Sequence, residues 1–70
     1  MLTKEIAMLK KYIVYGYVTI ADRFNSEMGE SLHLMADSPE SASNKWKYLM
    51  LEKYHSKYLK STVDICEVAE

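Results

Sequence analysis

The chain has 70 residues, of which 49% are hydrophobic and 27% charged, and its formal net charge is −1. That composition belongs to a folded chain, and the length allows one domain, residues 1–70, with a single small core near the lower limit for independent folding. The charge gives no bulk attraction to nucleic acid or anionic membrane, and no stretch reaches the ~20 apolar residues of a membrane helix, so a cytoplasmic protein without a membrane partner is expected.

From the N-terminus, Leu2, Ile6 and Leu9 recur at helical spacing among Lys4, Glu5, Lys10 and Lys11, which predicts a short amphipathic helix. Residues 12–20, YIVYGYVTI, are dense in β-branched and tyrosyl side chains and predict a strand. Alternation puts Tyr12, Val14, Gly16, Val18 and Ile20 on one face, toward the core, and Ile13, Tyr15, Tyr17 and Thr19 on the other. Residues 21–30 mix charges with Asn25, Ser26 and Gly29 and predict the wide loop of a hairpin. The returning strand is expected at residues 31–36, where Leu32, Leu34 and Ala36 alternate with His33 and Met35.

A helix must start next. Asp37 or Ser38 can accept the free N–H groups of its first turn, Pro39 needs no donor there, and Glu40 complements the positive helix end. Ala42, Trp46, Leu49, Met50 and Tyr54 form its apolar stripe, Lys45, Lys47, Glu52 and His55 fall away from it, and Lys53 lies close to its end. A last strand fits residues 59–68, with Leu59, Ser61, Val63 and Ile65 alternating with Lys60, Thr62, Asp64 and Cys66. The expected class is α+β in the order αββαβ: a short N-terminal helix, then a three-stranded antiparallel sheet with one main helix packed on it. The alternative is an all-α helical hairpin, with Leu2, Ile6, Leu9, Ile13, Ile20, Phe24 and Met28 on one seam, and the β-branched run at 12–20 opposes it.

The segment LHLMADSPESA, a strand leading through Asp37-Ser38-Pro39-Glu40 to the helix residue Ala42, resembles very small phage-encoded proteins in which a hairpin precedes a helix and a final strand. The RNA-polymerase inhibitor of T7-like phages and small anti-CRISPR proteins are similar in this arrangement. The resemblance covers residues 12–68 as topology and implies a protein that acts by binding another; it brings no site residue with it.

His33 and His55 are the side chains whose ordinary titration lies near neutrality, and they are expected on separate surfaces, with no nucleophile or carboxylate completing a set. Cys66 is the one cysteine, has no CxxC partner, and reads as a small apolar filler in a reducing compartment. Neither a metal site nor a phosphate loop can be assembled, so no enzyme, no catalytic residue and no cofactor is expected.

Surface features are more informative. Residues 45–60 carry Lys45, Lys47, Lys53, Lys57 and Lys60 against Glu52, whereas residues 21–40 carry Asp22, Glu27, Glu30, Asp37 and Glu40 against Arg23. Such opposed charge sets orientation and encounter rate in docking. Ile13, Tyr15, Tyr17, His33 and Met35 should point away from the main helix and form an apolar face in need of a cover: the N-terminal helix, a protein partner or a second copy. The expected partner-binding residues are therefore Ile13, Tyr15, Tyr17, His33 and Met35, with Lys45 and Lys47 supplying charge. The expected function is a non-catalytic protein-binding module, an accessory factor of a phage or mobile element that binds a host protein and modulates or inhibits it. One alternative is nucleic-acid binding, with Lys45, Lys47, Lys53 and Lys57 on phosphates; another is a self-associating module, a homodimer that buries Tyr15 and Tyr17.

Overall fold

The β-branched and tyrosyl run does form a strand, and it is the central one. A computed structural model describes residues 9–69. In it β1 (Lys10–Ile20) lies between β2 (Glu27–Ala36) and β3 (Tyr58–Val68), antiparallel to both. The helix α1 (Pro39–Tyr54) and a 3₁₀ turn (His55–Lys57) connect β2 to β3, and the helix packs against all three strands. This α+β arrangement excludes the helical hairpin. The expected N-terminal helix lies outside the described residues.

Side-chain period sets the core. Tyr12, Val14 and Val18 of β1 meet Ala36 of β2 and Ala42, Trp46 and Met50 of α1, all buried, with Leu32, Leu34, Tyr54, Tyr58, Val63 and Cys66 packed around them. Leu49, placed by its spacing on the helix stripe, lies at the stripe's margin and is 38% exposed. The helix start follows its capping chemistry: Ser38 is extended, its Oγ accepts the Ser41 N–H at 3.1 Å, and Pro39 and Glu40 occupy the first turn.

Trp46 is fully buried, and Gly16 makes that position available. A Cβ at Gly16 would collide with the Thr62 carbonyl oxygen, lie 2.8 Å from Trp46 Cη2 and 3.0 Å from Val63 Cα. Glycine is needed here for close approach between the strands and the indole. The indole N–H has no acceptor among the described residues, so the ring contributes through area and packing alone.

Two sequence expectations change. The loop is shorter than 21–30: Asp22 Oδ1 accepts the N–H groups of Phe24 at 3.0 Å and Ser26 at 2.9 Å, Asn25 takes a φ of 51°, and β2 resumes at Glu27. The charged Glu27 and Glu30, with Gly29 between them, disguise the first part of this strand. The second change is in β3, whose pairing register slips between Tyr15 and Gly16 and again between Thr19 and Ile20. Tyr15 pairs with Ile65 and Gly16 with Val63, so Asp64 is the extra residue of a bulge. Beyond it the faces exchange: Ile65 joins the outer face and Cys66 turns inward, where its Sγ reaches the Pro39 carbonyl at 3.4 Å.

His55 closes the helix at φ 50°, ψ −117°, donating its N–H to the Leu51 carbonyl. That backbone region suits glycine, and a side chain there costs energy. His55→Gly should therefore raise stability by about 1 kcal/mol, read as a higher denaturant midpoint. In the core, Trp46→Ala should cost about 3–5 kcal/mol and unfold most of the protein, whereas Trp46→Phe loses far less because no indole hydrogen bond is given up. Gly16→Ala should destabilise as severely as Trp46→Ala in the same denaturation series.

Candidate protein-binding face

The register decides which residues share the face turned away from α1. Directly paired residues lie on the same side of a sheet, so reading across β2, β1 and β3 gives rows. These are His33–Ile13–Glu67, Ser31–Tyr15–Ile65, Gly29–Tyr17–Thr62 and Glu27–Thr19–Lys60, with Met35 beside Lys11 at one end. Ile13, Tyr15, Tyr17, His33 and Met35 are thus brought together as the alternation predicts. Lys45 and Lys47 are not among them, because α1 lies on the other side of the sheet.

This face, which no element among the described residues covers, is apolar at its centre and charged at its corners. Tyr17 is 39% exposed, Ile65 42% and Met35 48%. Tyr15 and Tyr17 meet edge to face with ring centroids 5.3 Å apart, which fixes both phenols with little entropy left to lose on binding. Gly29 leaves room for the first of them, since a Cβ there would lie 2.9 Å from the Tyr15 hydroxyl. The Tyr17 phenol is held above its ordinary range, first by the Tyr15 hydroxyl and then by burial and the charges of Asp64 and Glu27. Thr62 and Asp64 belong to this face, opposite Val63 as the alternation has them, and Ile65 joins them against the sequence pattern because the bulge puts it there.

The lysines are partly committed elsewhere. Lys45 Nζ donates to the Met35 carbonyl at 2.7 Å, and Lys53 Nζ forms an ion pair with Glu30 at 2.8 Å. Two of the four cations offered for phosphate contact are therefore engaged, which leaves the nucleic-acid alternative with Lys47 and Lys57. Glu30 faces the helix side and also accepts from the Tyr54 hydroxyl. The Lys53 and Tyr54 hydrogen bonds hold its carboxyl below the ordinary range, and in return Lys53 and Tyr54 are both raised.

Among the described residues the two histidines do not converge. His33 lies on the open sheet face and His55 at the far end of α1, on opposite layers. A groove of about 690 Å³ runs beside the helix start, bordered by Leu34, Asp37, Glu40, Lys45, Tyr48 and Leu49, and Ser38 in its wall already accepts the Ser41 N–H. Among the described residues no group of three or more His, Cys, Asp or Glu could hold a metal ion, and no helix is long and apolar enough to cross a membrane. Comparison with protein-family models, curated proteins and solved structures finds no match to this chain.

The Glu30 cluster makes a pH prediction. A carboxyl held lower in the folded than in the unfolded chain stabilises above its unfolded pKa and loses that contribution as pH falls through the folded value. The raised Lys53 and Tyr54 act in the opposite sense, stabilising below their unfolded values and losing this as pH rises beyond ~10. Glu30→Gln should flatten both limbs of a stability-against-pH curve, leaving on the acid side the contribution of Asp22, which Ser26 also holds low.

Proposed function

We propose that the protein is a non-catalytic protein-binding module whose contact surface is the open face of its sheet. The supporting observation is the cluster of Ile13, Tyr15, Tyr17, Ile65 and Met35, which no described element covers, on a side of the sheet that the helix does not use. Tyrosine and methionine are enriched at interfaces, and an apolar centre with a charged rim is the usual anatomy of one. Such a surface acts by occupancy: it places stiff phenols in a partner's pocket and excludes water around them. An accessory factor of a phage or mobile element, modulating a host protein by covering part of it, is the biological form of this reading, and the resemblance of the DSPE-capped hairpin–helix–strand order supports it.

Tyr17→Glu tests it. Tyr17 is on the surface, so the variant should keep its circular dichroism spectrum and thermal transition while placing a charge in the contact. Immobilised wild-type protein should retain a reproducible protein partner from a bacterial lysate and the variant should lose it by tenfold or more. Equal retention by both, or no protein enriched by the wild type, would overturn the proposal.

A further inference from the structure

We infer that the open face also recognises a second copy of this chain, forming a two-fold dimer that competes with the protein partner for the same surface. This inference rests on the reading of that face as a protein-binding surface and adds its regulation. The argument is charge complementarity under a particular symmetry. When two sheets pack face to face about a two-fold axis parallel to β1, each copy's β2 lies over the other's β3, and each row meets its own counterpart reversed.

In that arrangement Glu27 of one copy faces Lys60 of the other, and His33 faces Glu67; by symmetry each pair occurs twice. Ser31 can donate its hydroxyl toward Asp64 of the second copy. Down the central strand Ile13, Tyr15 and Tyr17 meet their own counterparts and form the dry centre. Lys11 is the one like-charged meeting; it lies at the end of the face, where its ammonium can turn to Glu67 of either copy. With the axis turned perpendicular to the strands at the level of Gly16, Glu67 meets Lys60 and His33 meets Glu27, so Glu27 and Lys60 no longer meet each other. The parallel axis is the arrangement that joins Glu27 to Lys60 between copies, and it matches the small crossing angle at which twisted sheets stack.

Size sets the strength. Three strands at ~4.8 Å spacing and nine residues at ~3.3 Å give a footprint on the order of 400 Å² per copy. The total of about 800 Å² lies below the ~1,200 Å² of a standard stable interface, so a weak and reversible association is expected. The monomer then predominates when dilute and remains available to a partner, while concentrated protein stores itself as dimer.

Both edge strands contribute to the rim, and Glu27 and Lys60 within one copy are separated by the whole of β1. A charge reversal can therefore separate self-recognition from other occupants. Sedimentation equilibrium of the full chain up to 0.5 mM should show a monomer–dimer equilibrium. Glu27→Lys and Lys60→Glu should each weaken it about tenfold, and the double reversal should restore it to within a few fold, because the pair is rebuilt between copies. A strictly monomeric wild type would overturn the dimer, as would a double variant no better than the singles. A monomer whose lysate partner is nevertheless lost on Tyr17→Glu would end the dimer and keep the proposed function.

Discussion

The fit of Trp46 over Gly16 is the contact on which the rest of the fold depends. Trp46 is the largest fully buried side chain, and the indole can reach the sheet only where the central strand has no side chain. The same absence lets the Thr62 carbonyl approach β1, and the bulge at Asp64 follows immediately, where the register slips beside Gly16. Removing a Cβ, inserting a residue in β3 and seating the tryptophan are thus one structural event. It fixes helix height above the sheet, and through the bulge it decides which β3 residues face outward.

At the other end of the helix the constraint is electrostatic. Glu30 points toward the helix layer at a position where a strand pattern calls for an apolar residue, and it is tolerated because Lys53 and Tyr54 both donate to it. Lys53 also lies 5.5 Å from the Tyr54 ring centroid. Exposed ion pairs are worth little, but this carboxylate is mostly covered and has two donors, so it anchors the start of β2 to the end of α1. The loop opposite is organised by Asp22, and the Ala21 N–H reaches the Lys57 carbonyl at 2.6 Å, which ties the hairpin tip to the 3₁₀ turn.

Periodic features were legible in the sequence and backbone events were not. The central strand, the Ser38 cap and the Ala42–Trp46–Met50 stripe are all visible because side-chain chemistry repeats at the period of the element. The early start of β2 was hidden by Glu30, whose partners are 23 and 24 residues away. The bulge was hidden because Ile65 and Cys66 are both apolar, so either can pass for the inward residue. One signal was present: an isolated glycine inside a strong strand points to a bulge or a close approach, and Gly16 serves both. Of the expected binding residues, the five on β1 and β2 are contiguous because hairpin register follows alternation, while Lys45 and Lys47 were grouped with them by charge alone.

The open face is better suited to recognition than the sheet's edges. β2 and β3 are both edge strands, and long free edges invite indiscriminate strand pairing. Here they are blunted: β3 carries two irregularities that disrupt a continuous ladder, and β2 carries Glu27, with Lys45 Nζ on the Met35 carbonyl near its end. The face between them has the opposite character, with tyrosines and isoleucines at the centre, a methionine at one end and charges of both signs at the rim. A chain selected only for solubility would place Thr and Lys at those inner positions, as it does at Thr19, Lys60 and Thr62 toward one end. Keeping the edges hard to pair and the face apolar favours contact through shape and side chains over contact through backbone.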